Sequence, residues 1–419
     1  MRFHLLIPAL ILLAALPSLA QEADVPVLAG YVTRVDSANF DVNGTHVLLT
    51  DKTRILSRAA HSHSKILPSE FKPYLGQHLK ILGNHDRKPH AITAARIELE
   101  APQNARIAGS AIVDAVLDPP TAGDHLLRAD GYRVLIPAAV LPTFAPPLDP
   151  ASAFHTNVWI TFSGKRRPDG VVLADKVGFR PNSISNDEDK LRSRTEHDPA
   201  AVDPGAKQSG LSRAFRGTDP TRIPPYKDAD MQARIDSIGA RLVPQYQREL
   251  ASGDDTRIDF RFQLVDQPKW HDAQTWPNGI ILVPRQVVER LQDDSQLAAV
   301  LAENVACALE KQSYRFLPTS HTITAASVAG ALGGAFVPGL GLASTLGGEA
   351  TREKILRHLM EQDARVSLFL MHDAGFDITQ APLAWWLLAD EKSDGLENTP
   401  LPPRAEYLYK TLGEAWHSQ

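Results

Sequence analysis

The chain has 419 residues, a formal net charge of -5, 43% hydrophobic and 22% charged residues. That length favours two or three domains, and the balance is ordinary for globular protein rather than for a charge-dominated disordered chain. With no basic excess there is no electrostatic reason to expect nucleic acid as a partner, and the single cysteine, Cys307, rules out an internal disulfide.

Residues 1–20 read as an export signal. Arg2 gives the positive start, residues 5–16 form an apolar run interrupted by Pro8, and Ser18 and Ala20 supply small cleavage-site residues. The run is too short to span a bilayer comfortably, so the mature chain is expected to begin near Gln21 in the periplasm or cell envelope.

Residues 25–101 and 105–181 read as two sets of short strands punctuated by Gly, Asn, Asp and Pro. They form a weak repeat. Leu28-Ala29-Gly30-Tyr31-Val32 opens the first and Ile107-Ala108-Gly109-Ser110-Ala111 the second, followed by Asp36 and Asp114. Each copy ends in a strand, a Gly turn at Gly83 or Gly164, and another strand, at an offset of 78 to 81 residues. Units of this size and strand number suit small barrels. The copies resemble OB-like β modules repeated in bacterial exported proteins. Few aromatics are available for base stacking, which favours a spacer or protein-docking role. In the first copy, His61 and His63 share a polar loop and are expected to be ordinary exposed residues.

Residues 182–226 are polar and rich in Pro and Gly, and are expected to be a loose, protease-sensitive linker. From residue 227 to 415 the pattern turns helical around a small sheet. Met231, Ile235, Ile238 and Leu242 mark one helix face. Ile258, Phe260, Phe262 and Leu264 alternate as a strand, Trp276-Pro277-Asn278-Gly279 is a turn, and Ile280 begins a second strand. Asp294 or Ser295 is expected to cap a helix carrying Leu297, Val300, Leu301, Val305 and Leu309. The stretch that opens at Thr322 and closes at Gly348 has no charged residue in 27 positions. Broken by Pro338-Gly339, it reads as two short buried helices, with peripheral membrane contact as the alternative. His271, His358 and His372 have no partner at motif spacing and read as surface or capping residues.

This order of elements resembles the HtpX- and BepA-like zinc metallopeptidases, family 48 of the metallopeptidases. The resemblance rests on Leu297-Ala298-Ala299-Val300-Leu301-Ala302, the Gly/Ala-rich stretch, Glu361-Gln362-Asp363-Ala364-Arg365, and the turn Ala374-Gly375-Phe376-Asp377. Together with the strand-rich first half, it implies an α+β fold: two small OB-like β-barrels followed by a helix-rich metallopeptidase-like (zincin) domain. The departures fall on the chemistry. Where the family has H-E-x-x-H, two zinc-binding histidines and a base, this chain has Glu303, Asn304 and Cys307. Counting back from Gly375 places Gln362 at the family's third ligand, and a one-residue shift places Glu361 there. Asn304 cannot take a proton. Losing general acid–base catalysis, roughly 10²–10⁴-fold, together with the metal's polarisation leaves no turnover by that route.

No catalytic residue, cofactor or metal is therefore expected; zinc held by Glu303, Cys307 and Glu361 is the alternative. The expected function is a catalytically degenerate envelope protein that binds or scaffolds envelope proteins or unfolded polypeptide. The alternative is an active zinc metalloendopeptidase with a non-standard site.

Overall fold

The computed structural model describes residues 27–36, 39–59, 62–86, 91–100, 105–150, 153–193, 220–312, 349–390, 395–396 and 399–416. The expected export signal, His61, the His63 side chain, linker residues 194–219 and the uncharged stretch beginning at Thr322 lie outside the described residues.

The protein is α+β. The first unit comprises β1 (Leu28–Val35), β2 (Phe40–Val42), β3 (Thr45–Leu48), β4 (Arg54–Ala59), β5 (Ser62–Ile66), β6 (His78–Asp86) and β7 (Ala91–Glu100). The order β3-β2-β1-β6-β7 closes on itself where β7 pairs with β3 in parallel, making a five-stranded OB-like barrel. The β4–β5 hairpin adds to the other half of β7. Alternate residues, including Val32, Val42, Val47, Leu79, Ile81 and Ile97, fill the interior.

The second unit has β8 (Arg106–Leu117), β9 (His125–Ala129), β10 (Tyr132–Ile136), β11 (Thr143–Phe144), β12 (Val158–Arg166) and β13 (Val172–Pro181). It closes the same way, β10-β9-β8-β12-β13 and back to β10 in parallel. The repeat seen in the sequence is thus a repeat of topology, but with a different register. Bulges fall at Val32/Arg34 and Val113/Ala115, and at Leu82/Gly83 and Ser163/Gly164, so both pairs of bulges are offset by 81 residues. Asp36 and Asp114 are therefore not equivalent, and Gly30 and Gly109 lie two positions out of step. Those two glycines nevertheless share a cause. A Cβ on Gly30 would lie 2.3 Å from Asn43 Nδ2, and one on Gly109 would lie 2.6 Å from Asp130 Oδ2.

Asn43-Gly44 and Asp130-Gly131 are the equivalent two-residue hairpin turns. Their φ values of 47° and 78°, and 56° and 65°, match the turn that suits the right-handed twist of the flanking strands. Both turns press on the helical domain. A Cβ on Gly44 would sit 2.8 Å from the Trp386 ring, and one on Gly131 would sit 2.3 Å from Arg365 Cβ. Gly131→Ala is expected to cost about 1–3 kcal/mol through backbone strain and overpacking. Gly123→Ala is the control, since its φ is also positive at 89° but the nearest atom is 3.6 Å away. Urea unfolding of both reads the difference; equal losses would show that the Arg365 contact yields freely.

The helical domain contains α1 (Asn186–Ser193), α2 (Ala229–Leu242), α3 (Gln245–Glu249), α4 (Arg285–Arg290), α5 (Asp294–Leu309), α6 (Glu349–Asp373), α7 (Gln380–Ala389) and α8 (Pro403–Ala415). Its sheet is β14 (Arg261–Val265), β16 (Ile280–Pro284) and β15 (Gln274–Thr275) in that order. The turn ending at Gly279 joins β15 to β16 as a hairpin, while β14 lies parallel on the other side of β16. The short β15 carries no periodicity and was not expected from the sequence. Asp293, rather than Asp294 or Ser295, caps α5, its carboxylate accepting from the Ser295 and Gln296 amides. Gly375, at φ 73°, ends α6, with the Phe376 amide donating back to Met371 O at 2.9 Å.

The barrels are packed onto this domain. Ile112 and Trp159 of the second barrel belong to the same buried apolar cluster as α2, α5, α6 and α7, and Tyr31 and Leu75 of the first pack against it. Arg365 pairs with Asp130 at 2.6 Å, and Arg128 joins Asp114 and Asp373 across the same interface. The expected linker is ordered at both ends. Helix α1 docks on the end of α5, and Ile223 is buried with Val265, Trp276 and Leu282. No helix among the described residues is long and apolar enough to cross a membrane.

Candidate functional site

Helix α5 runs through the centre of the domain and is buried on nearly every side from Leu297 to Leu309. Ala and β-branched or Leu residues let neighbouring helices close round it. Glu303 and Asn304 are the polar exceptions, 4% and 9% exposed. Burying such groups is costly unless partners are supplied, so their surroundings define what the site can do.

Glu303 faces α7 and α8. Its Oε2 lies 3.3 Å from Arg404 Nε, and Arg404 Nη1 donates to Asp272 Oδ2 at 2.9 Å. The guanidinium stacks 3.8 Å from the centre of the Trp385 ring. The cluster is not saturated: Glu303 Oε1, Asp272 Oδ1, Trp385 Nε1 and Arg404 Nε are buried without a well-formed hydrogen bond. Burial pushes the Glu303 carboxyl up to about 7, while Arg404 pulls it back down and Asp272 adds to the rise. A single guanidinium thus serves as the internal cation for two acids.

Asn304 faces the sheet. Its Oδ1 accepts from Thr275 Oγ1 at 2.6 Å, and its Nδ2 donates to Val300 O at 2.9 Å. Both ends of the amide are used locally, one on β15 and one on the preceding turn of α5. Cys307 lies one turn further on and is half-buried. Burial pushes its thiol well above the ordinary range, with Asp363 adding to the shift. A thiol held in that form is a poor nucleophile and a poor metal ligand.

Helix α6 sends the three neighbours Glu361, Gln362 and Asp363 to different surroundings. Gln362 is buried toward the second barrel, donating to Ser110 O at 3.4 Å and Glu310 Oε2 at 3.3 Å. Glu361 is half-buried and acts on Tyr407. Asp363 turns inward, accepts from Gln312, and is the acid felt most by Cys307. Of the three neighbours, Asp363 is the one whose charge acts on Cys307. Glu303, Cys307 and Glu361 do not surround one point, and among the described residues no three of His, Cys, Asp and Glu form a metal-binding group.

The residues that complete the cluster, Asp272, Thr275, Asp363, Trp385 and Arg404, come from four other elements and the loop before β15. Asp363 alone had a signal, as an acid beside the counted position. A second feature is a cleft of about 470 Å³ between the second barrel and the α2–α3 corner. Asp114, Asp373 and Glu249 line it together with Arg128, Arg241 and Arg248.

No family model matches the chain, and no curated protein matches it.

Proposed function

We propose that the chain is an exported cell-envelope protein with a metallopeptidase-like helical domain that does no peptidase chemistry and binds or scaffolds envelope polypeptides. The observation that supports this reading most is Asn304. It stands where the resemblance calls for a general base, and Thr275 and Val300 occupy both ends of its amide. Glu303, at the first ligand position, is tied to Arg404 instead. The mixed charges of the cleft between the second barrel and α2–α3 suit a polypeptide, whose backbone and side chains carry both donors and acceptors, better than a polyanion.

Purified protein is expected to carry no stoichiometric zinc by elemental analysis and to show no chelator-sensitive digestion of casein. About one zinc per chain, as a single catalytic site holds, together with cleavage abolished by chelator, would establish the active metalloendopeptidase instead.

A further inference from the structure

Helix α1 lies where the chain leaves the second barrel. Its sequence, Asn186-Asp187-Glu188-Asp189-Lys190-Leu191-Arg192-Ser193, contains one apolar residue. Eight residues do not hold a helix in water on propensity alone, and so polar a segment gains little from apolar burial. The contacts of its described side chains are ionic and hydrogen-bonded. Glu188, 3% exposed, accepts from Lys311 Nζ at 3.1 Å through one oxygen and from Arg192 at 3.1 Å through the other. Lys311 also donates to Ser183 O at 3.1 Å, and Arg192 to Asp255 O at 3.2 Å.

What this helix covers is the Cys307 end of α5. Glu188 and Arg192 form one wall of a gap of about 10 Å³, and Pro277, Cys307 and Lys311 form the other. That is room for about one water. Buried ion pairs add little net stability, because desolvation offsets most of their attraction. An element whose described contacts are chiefly ionic, with one apolar residue in eight, opens at lower free energy than helices seated in an apolar core.

We propose that α1 is a strap that opens and closes over the Cys307 end of α5 while the rest of the domain stays folded. In the closed state Glu188 occupies the place at Lys311 that a carboxylate of a bound polypeptide would take. The strap stands on geometry alone. Its part in binding rests on the function proposed above, and the test uses no partner, so the two fail separately.

Cys307 is the sole cysteine, so its reaction with a maleimide reports on this one position in the full chain. Labelling is expected to be at least about ten-fold faster in Glu188→Ala and in Arg192→Ala, an opening difference of about 1.4 kcal/mol. Far-UV circular dichroism and the melting midpoint should stay near wild type. Wild-type labelling rates in both variants overturn the proposal. So does wild-type protein that reacts as fast as the urea-unfolded chain. Hydrogen exchange on the unmodified protein decides the matter should either variant fail to fold. Amides of Asn186–Ser193 are expected to exchange well before those of Asp294–Leu309, and exchange of the two helices in step overturns it.

Discussion

Replacing Arg365 by Met is expected to lower the free energy of unfolding by about 3–5 kcal/mol, the usual cost of stranding one member of a buried ion pair. Arg365 and Asp130 are 5% and 2% exposed. The guanidinium donates to Asp130 Oδ1 at 2.6 Å, to Asp130 O at 3.0 Å and to Tyr407 Oη at 2.6 Å, and it lies over the Tyr132 ring. Removing it takes away the cation paired with Asp130 among the described residues and leaves a carboxylate in the seam between the second barrel and α6. The loss should be smaller in the double variant Asp130→Asn/Arg365→Met, because no buried charge remains. Asn also tolerates the left-handed backbone that this turn needs, φ 56° at Asp130. Urea unfolding monitored by tryptophan fluorescence measures both variants. A single-variant loss below about 1 kcal/mol, the range of exposed ion pairs, would show that the seam is wet.

Glu303→Gln is expected to change how stability depends on pH. The Glu303 carboxyl sits at about 7 in the folded protein against an ordinary 4.5, so between those values the folded chain holds a proton that the unfolded chain has released. Wild-type stability therefore falls as pH rises through that window, by about 3 kcal/mol in all. Gln is close in shape to the protonated acid and does not titrate. Relative to wild type, the variant should gain up to that amount between pH 4.5 and pH 8. Denaturant midpoints taken across this range give the comparison, and taking the difference between the two proteins cancels every other titrating group they share. Parallel curves would show that Glu303 stays ionised throughout, its charge fully met by Arg404.

The resemblance to family 48 metallopeptidases led to Glu303, Asn304 and Cys307, and their placement on one buried helix agrees with the apolar pattern from Leu297 to Leu309. That Asn304 cannot take a proton follows from residue identity alone. The two barrels were legible for a similar reason. Period-two alternation and recurrent glycines are local signals, and a duplicated unit states them twice. Even there, the 81-residue register was hidden, since a bulge shifts pairing by one residue without changing composition.

The sequence by itself determined the α+β class, the repeat and the central helix, because each depends on neighbours within a few residues. Only the tertiary structure decided what those residues meet. Arg404 reaches Glu303 from 101 positions away, Thr275 satisfies Asn304 from a strand too short to show a period, and α1 docks where composition alone read as loose linker. Which neighbour each of Glu361, Gln362 and Asp363 meets was likewise a matter of helix orientation: Gln362 reaches Ser110 and Glu310, while Asp363 acts on Cys307. A helix turns by about 100° per residue, so an error of one position sends a side chain to another neighbour altogether.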